Sequence, residues 1–274
     1  MSVVVSPNVV LNPSNPDGID GNNGAVGWHN LVTAAGVVAT SQVDGYPATN
    51  VANPLTFPSA GWRATTSADQ ALTIDIPIAE PIDYLAIAKH NLYDAQSRVS
   101  VDAGVSAVFT PITPEIMVGD NRALMFFFVQ QNMDQIRLNL KMHALAPQVA
   151  VIYVGRILRL QRRIYVGHTP MPFGTKTDVI TGRSEGGDYL GSIVTGQTTQ
   201  SEIAQQNLTP IWVREQLRPW LVQANRKVPF FWAWRPLTYP TETGFCWFLS
   251  DVVPKNSGPR DLMSFSGAIE GIAS

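Results

Sequence analysis

The feature that most constrains the fold of this chain is a strict alternation of apolar and polar residues in short runs. Two runs show it most clearly, 71–76 and 135–140, in which every second residue is leucine or isoleucine. A period of two is the signature of a β-strand with one buried and one exposed face. Proline-rich turns separate such runs before residue 160, and no long amphipathic helix occurs there. The pattern therefore predicts a β-sandwich or jelly roll.

Composition adds a second constraint. Hydrophobic residues make up 45% of the 274 residues, which is enough for a sizeable core and excludes wholesale disorder. Charged residues make up only 15%, against about 25% in ordinary globular proteins. A low charged fraction leaves less material for a solvated surface, so we expect other subunits to cover much of it. A free surface rich in Ser, Thr, Asn and Gln is the alternative explanation.

Several classes of function are disfavoured by the same data. The net charge of −2 gives no electrostatic reason to bind nucleic acid. The longest strongly apolar run, 124–129, is far too short to span a bilayer, and the first basic residue, Arg63, lies too late for a signal peptide. The single cysteine, Cys246, excludes an internal disulfide. We therefore expect a protein made and folded in a reducing cytoplasm.

The pattern changes near residue 160. We predict an N-terminal arm or loop at 1–27, a first β-domain at 28–160 and a second at 161–274. In the second domain, apolar runs at 177–180 and 189–194 flank a glycine-rich tip and predict a long hairpin. Thr209 and Pro210 open a predicted helix over 210–225, with Pro219 expected to kink or divide it. The fold class is mainly β, with one helix.

One string resembles a catalytic motif. Residues 182–186, Gly-Arg-Ser-Glu-Gly, match the G-x-S-x-G nucleophile elbow, which requires a helix after it and a histidine later in the chain. Here a β-like run follows, and all four histidines precede Ser184. A convergent site using His168 is the alternative. We interpret the string as a hairpin tip and predict that the protein is not an enzyme.

Metal and phosphate sites are also weakly supported. The histidines stand singly, and the one cysteine cannot form a thiolate cluster, so we predict neither a metal nor a cofactor. The loop with Asp17, Asp20, Asn22 and Asn23 lacks the glutamate that a calcium loop needs at its twelfth position, and Asx turns explain it better.

A basic cluster precedes the glycine-rich tip. It comprises Arg156, Arg159, Arg162 and Arg163. A phosphate site is one reading of such a cluster. We favour a strand at the domain junction whose arginines meet acidic partners.

The first β-domain resembles discoidin-type, or galactose-binding-like, domains. The resemblance rests on the order of the segments 46–50, 61–63, 72–75, 82–87, 99–102, 135–138 and 152–155. That family implies a jelly roll that binds glycans, lipids or proteins through loops at one end. The matching positions near strand ends are Trp62, Arg63, His90 and Asn91, where an aromatic face and polar groups would contact a sugar. The alternative places Trp62 in the core and His90 in a turn.

The second half resembles tail proteins of long-tailed bacteriophages. The similar stretches are RRIYVGHTP at 162–170, GRSEGG at 182–187 and Leu-Gly at 190–191. The resemblance implies a ring-forming β-sandwich at the tail tip or baseplate, similar to distal-tail proteins, and a homohexamer. It also implies contacts with the tube, the tip or hub and the tape measure, a location in the virion tail, and assembly in the bacterial cytoplasm.

Two functions follow from these resemblances. The first is a structural subunit whose ring joins the tail tube to the tip, through strand edges or the hairpin. Its predicted interface residues are Thr177, Val179, Arg183, Glu185, Tyr189 and Ile193. The alternative is a carbohydrate-binding adhesion module that contacts a host-surface glycan, which predicts solvent-facing Trp62 and His90.

Overall fold

The computed structural model describes residues 3–5, 20–77, 80–141, 144–257 and 261–273. The protein is mainly β, as the alternating sequence pattern predicts, and its strands form three sheets. The strands of the first two sheets are β1 (Val3–Val5), β3 (Val37–Ala39), β4 (Trp62–Arg63), β5 (Gln70–Asp75), β6 (Ile82–His90), β7 (Arg98–Val105), β8 (Val108–Pro111), β9 (Ile116–Met117), β10 (Leu124–Gln131), β11 (Gln135–Lys141) and β12 (Gln148–Gly155). The strands of the third sheet are β2 (Ala25–Gly27), β13 (Leu158–Arg159), β14 (Thr175–Arg183), β15 (Tyr189–Leu208), β16 (Phe230–Ala233), β17 (Thr243–Phe248), β18 (Lys255–Ser257) and β19 (Leu262–Ile272).

The first two sheets pack face to face as a sandwich. The first has the order β1-β10-β6-β12-β4, and the second has the order β3-β5-β11-β7-β8 with β9 beside β7. All pairings are antiparallel except β1 with β10. Alternate residues of β5 and β11 point inward, and Leu72, Ile74, Ile136 and Leu138 are fully buried. The two runs that show period two most clearly are therefore half-buried strands.

The third sheet packs on the outer face of the first. Its order is β13-β2-β16-β17-β19-β15-β14, with β18 beside β19. Small residues of the first sheet, including Ala86 and Ala88, meet large rings of the third, Phe231 and Phe245, in one apolar cluster. Strands β2 and β13 join this sheet, although their residues fall within the predicted ranges 1–27 and 28–160. The first sheet is thus buried on both faces.

A helical segment covers the other face of the third sheet. It comprises α1 (Pro210–Trp212), a π-helical turn (Val213–Leu217) and α2 (Arg218–Ala224). The π turn ends just before Pro219, which has no N–H to offer a regular helical bond, so the predicted irregularity takes this form. Trp220 is fully buried against the rings of Phe230, Phe248 and Phe265. No helix in the described part of the chain is long and apolar enough to cross a bilayer.

Candidate functional site

A cleft of about 510 Å³ opens between the first and third sheets. Its floor includes Ala123, Ala150 and Phe245, which belong to the apolar cluster that joins the two sheets. Residues of β4, β6 and β12 line one wall, and residues of β15, β17 and the segment 171–175 line the other. The volume lies within the range of about 300–1,000 Å³ usual for small-molecule sites. The cleft is therefore the first place to look for a ligand.

Arg63 anchors the wall formed by the sandwich. It lies on the short strand β4, opposite Gln148 of β12, and its Nη2 donates to Gln148 Oε1 at 3.2 Å. The guanidinium carbon stands 4.8 Å from the centre of the Tyr46 ring, and Nε has no hydrogen-bond partner among the described residues. Stacking on Tyr46 and one hydrogen bond to the Gln148 side-chain amide fix the orientation of the guanidinium without neutralising its charge.

Two aromatic rings border this wall. Tyr46 is half-buried beneath the Arg63 guanidinium, and Phe57 is 54% exposed at the rim. Exposed aromatic faces beside hydrogen-bonding groups suit ligands that have both apolar and polar surfaces.

Lys89 adds a second cation from an unusual backbone conformation. It is exposed and lines the cleft near the end of β6, with φ of +51°. A residue with a Cβ is strained in this left-handed region, and such strain persists only where the surrounding structure enforces it. Here Ala88 packs in the cluster between the sheets while His90 is buried. The turn at Lys89 separates these two environments.

His90 and Asn91 hold the loops of the cleft in place. His90 Nε2 donates to the Arg122 carbonyl at 2.8 Å, and Nδ1 accepts from the Leu92 N–H at 3.3 Å. Burial lowers the pKa of His90 to about 4, so the ring is neutral at physiological pH. The Asn91 amide donates to the Ala146 carbonyl at 3.0 Å and accepts from the Gln148 N–H at 2.8 Å.

The loop after residue 119 carries its own charge pair to the cleft. The Arg122 guanidinium donates to the Asp120 carboxylate through Nε at 3.0 Å and Nη2 at 2.6 Å. Asn121 Nδ2 donates to the Asp94 carboxylate at 2.7 Å. The charge of Arg122 is therefore neutralised by Asp120. Asp94 is the one carboxylate among the described lining residues.

The wall from the third sheet is uncharged, with polar side chains among apolar ones. Thr175, Gln197 and Thr199 line it from the base of the hairpin, and Thr199 Oγ1 is buried with no hydrogen-bond partner among the described residues. Thr243 Oγ1 donates to the Ala123 carbonyl at 2.5 Å, which ties the two walls together. Neither wall is complete without the other.

The four predicted sugar-contact residues, Trp62, Arg63, His90 and Asn91, all lie around this cleft. The expectation that Trp62 and His90 face solvent is wrong. Trp62 is fully buried, with Nε1 donating to the Ser41 carbonyl at 2.8 Å, and His90 is 7% exposed. The alternation along β4 turns Trp62 inward and leaves Arg63 half-exposed. Of the two positions on that strand, only Arg63 has a side chain available to a ligand.

Sequence reasoning missed the other half of the cleft. Tyr46, Phe57, Lys89 and Gln148 come from separate turns and strands of the sandwich, and the opposite wall comes from another sheet. The lysine next to His90 was the nearest available signal. The remaining residues are brought together only by packing of the sheets.

The predicted hairpin forms and extends further than expected. We call residues 175–198 the hairpin arm: β14 pairs with the first half of β15, and all nine residues of β14 are exposed. Val179 lies opposite Val194 and Ile180 opposite Ile193, so apolar side chains occur on both faces of the ribbon. These four side chains are 46–70% exposed. Of the other predicted interface residues, Thr177, Arg183, Glu185 and Tyr189 lie along the same arm and its tip.

The Gly-Arg-Ser-Glu-Gly string forms the tip of this arm, as predicted. The Ser184 N–H donates to the Asp188 carbonyl at 2.9 Å, and the Gly187 N–H donates to the Ser184 carbonyl at 2.9 Å, with φ of +89° at Gly187. Ser184 Oγ donates to the Asp188 carboxylate at 3.1 Å and accepts from the Asp188 N–H at 2.9 Å. The hydroxyl closes the turn.

The basic cluster meets an acidic partner at the junction. Arg163 forms an ion pair with Asp20, and the Arg159 guanidinium donates to the Gly21 carbonyl at 2.9 Å. The Asn22 N–H donates to Asp20 Oδ1 at 2.7 Å, which is the predicted Asx turn, while Asp17 lies outside the described residues. This backbone hydrogen bond, together with Arg163, holds the pKa of Asp20 below its usual value. The described residues contain no group of three or more metal-ligating side chains.

Comparisons with known proteins locate no family. The sequence matches no protein-family profile and no curated protein. Solved structures similar to part of the chain include chitosan-binding module 1 of a chitosanase/glucanase from Paenibacillus sp. IK-5, with 12% identity and a TM-score of 0.41 over 46% of this chain and 98% of that one. The lectin domain of lectinolysin in complex with Lewis b antigen shows 15% identity and a TM-score of 0.41 over 47% and 96%. A pectin-binding carbohydrate-binding module shows 13% and 0.39 over 46% and 91%.

Proposed function

We propose that the cleft between the first and third sheets binds a carbohydrate. The observation that carries the proposal is the lining itself: the rings of Tyr46 and Phe57 beside the hydrogen-bonding groups of Arg63 and Gln148. A sugar ring has apolar C–H faces and a polar edge of hydroxyl groups. Aromatic rings pack on the former, and guanidinium and amide groups bond the latter.

The proposal assigns different roles to the four residues identified from the sequence. Arg63 is a contact residue, because its guanidinium is oriented and unneutralised. Asn91, Trp62 and His90 are positioning residues, since their polar atoms bond the protein itself. This is a binding role, and we propose no catalytic step.

The test is a glycan array on the intact protein, followed by calorimetry with the oligosaccharides that bind. Phe57→Ala is expected to weaken binding at least tenfold, because the sugar loses its contact with the ring. Folding should be unaffected, since the ring is 54% exposed. Tyr189→Ala removes a ring that is 66% exposed near the hairpin tip and is expected to leave affinity unchanged. Equal affinities of the two variants, or no binding to any glycan by the wild type, would contradict the proposal.

A second function is favoured by the hairpin arm. Monomeric proteins rarely expose continuous apolar surface, yet this ribbon carries valine and isoleucine on both faces. We propose that the arm packs on a neighbouring copy and closes a ring, the arrangement expected of a tail-tip or baseplate subunit of a long-tailed phage. On this proposal the protein resides in the virion tail, is assembled in the bacterial cytoplasm, and contacts the tube, hub and tape measure.

Light scattering and negative-stain imaging test the ring. A closed assembly near six copies, lost on shortening the arm, is the expected result. The shortened variant replaces residues 178–196 by Asn-Gly, so that the pair Thr177 and Gln197 is joined by a two-residue turn and all four exposed apolar side chains are removed. An assembly that persists without the arm would contradict the proposed interface. The two functions are compatible, because cleft and arm use different surfaces.

A further inference from the structure

The charges around the cleft are unbalanced. The charged side chains among its described lining residues are Arg63, Lys89, Arg122 and Asp94. Asp120 neutralises Arg122 through two hydrogen bonds. Asp94 accepts a hydrogen bond from Asn121. Among the described residues, neither Arg63 nor Lys89 forms an ion pair, so two cations face the cleft against one carboxylate.

The Arg63 guanidinium is held in place, and the backbone that carries Lys89 has a defined conformation. Arg63 is fixed by its bond to Gln148 and by the Tyr46 ring. Lys89 is held in a left-handed backbone conformation that a lysine adopts only at a cost, between a residue packed against the third sheet and a buried histidine. Six other described non-glycine residues also have positive φ, and Lys89 is the one of these seven that lines the cleft.

Across the sheet the two side chains belong to one surface. Arg63 pairs with Gln148, and the Asn91 N–H donates to the Gln148 carbonyl at 3.3 Å, so that β4, β12 and the end of β6 lie side by side here. Lys89 lies on β6, two residues before Asn91, and lines the same cleft. Both cations are therefore available to a ligand in this cleft.

We propose that the ligand of this cleft is an acidic sugar whose carboxylate is received by Arg63 and Lys89. The inference rests on the proposed carbohydrate-binding function and specifies its ligand class. A guanidinium offers a planar fork of donors to a carboxylate, and an ammonium supplies a compact charge beside it. The exposed ring of Phe57 and the exposed, uncharged side chain of Gln197 remain for the rest of the sugar.

The test compares matched acidic and neutral sugars by calorimetry on the full chain. Oligomers of galacturonate and glucuronate are set against those of galactose and glucose, with sulfated galactose as a third arm. We expect the carboxylated sugars to bind at least tenfold more tightly than their neutral counterparts. The preference should shrink as salt is added, because the ligand reaches partly exposed charges.

Variants assign the preference to the two cations. Arg63→Gln and Lys89→Gln are each expected to remove most of it, Arg63→Lys to retain part of it, and Lys255→Gln, an exposed lysine on β18, to retain all of it. Lys89→Gly separates binding from folding: the melting temperature should not fall, while the preference for acidic sugars is lost.

The outcomes distinguish this inference from the function it rests on. Equal affinity for acidic and neutral sugars overturns the inference and leaves carbohydrate binding intact. Binding of sulfated but not carboxylated sugars overturns the assignment of a carboxylate. Failure of every sugar to bind overturns both proposals. A preference that survives in both Arg63→Gln and Lys89→Gln overturns the placement of the anion.

Discussion

The two halves of strand β15 differ in what covers them. Residues 189–198 belong to the hairpin arm, where Ile193 is 70% exposed and Val194 is 56% exposed. From residue 198 onward the strand pairs with β19, and Ile203 and Leu208 are fully buried. Both halves pair antiparallel with a neighbouring strand, the first with β14 and the second with β19, so backbone hydrogen bonding does not distinguish them. Packing on a second layer is what makes one half part of the core and leaves the other half free for a partner.

The body and the arm also differ in backbone strain. In the body, Lys89 is held at a φ of +51°, and the exposed turn at Ser106 and Ala107 also places non-glycine residues at positive φ. In the arm, positive φ falls on Gly187 and Gly191, for which these angles carry no penalty. The comparison can be tested at matched positions.

The largest effect is expected from Ile203→Ala. The side chain is fully buried in the cluster beneath the helical segment, so truncation leaves a cavity. We expect the free energy of unfolding to fall by about 2–5 kcal/mol. Chemical denaturation of the purified variant measures it. A loss below the lower end of that range would show that the second half of β15 is not packed as described.

A pH titration reports on the packed body alone. Burial raises the pKa of Asp83, on β6 at the junction with β13, to about 6, against attraction from Arg159 and Arg156. The folded protein then binds this proton more tightly than the unfolded chain does. The contribution of Asp83 to stability is therefore fully present below its ordinary value of 3.8 and is lost as pH rises through about 6.

Melting temperatures across that window should fall less in Asp83→Asn than in the wild type. When both proteins carry the shortened arm, Asp83→Asn should differ from its parent by the same amount, because the arm does not contact the Asp83 carboxyl. Identical pH profiles for Asp83→Asn and the wild type would show that burial does not raise the pKa of Asp83.

Lys89→Gly tests the strain in the body. Relief of the left-handed conformation favours glycine, although the entropy of the unfolded chain offsets part of the gain, and we expect stabilisation of about 1 kcal/mol at most. The matched change in the arm is Gly191→Ala, at a φ of +124°, which should destabilise the arm without lowering the main melting transition. Differential scanning calorimetry distinguishes the two. A lower melting temperature for Lys89→Gly would contradict the strain.

The smallest effect on folding is expected from Ile193→Ala. The substitution is the same as Ile203→Ala on the same strand, but Ile193 is 70% exposed and little buried apolar area is lost. The free energy of unfolding should therefore change by no more than about 0.5 kcal/mol. If the arm packs on a neighbouring copy, the same variant should reduce assembly in light scattering. A large loss of stability in the isolated monomer would show instead that the arm folds back on the body.

The local pattern determined the elements of this protein. Alternation identified β5 and β11, apolar runs around a glycine-rich tip identified the hairpin, and Thr209 with Pro210 located the start of the helical segment. These features depend on neighbouring residues, which the sequence shows directly. The face of a strand that will be covered by another sheet is not a local property. On β17, Phe245 faces the first sheet whereas Cys246 and Phe248 face the helical segment, so both faces of this strand are covered.

The candidate site shows the same division. The sequence identified Trp62, Arg63, His90 and Asn91 as a group, and all four surround one cleft. Tertiary structure decided which of them can contact a ligand. Trp62 points inward and is buried, and His90 Nε2 is already hydrogen-bonded to the Arg122 carbonyl. Tertiary structure also added Lys89 and the wall from the third sheet. A cleft is the gap between packed layers, so its composition follows from how sheets meet, whereas the strands that form those sheets follow from the order of residues along the chain.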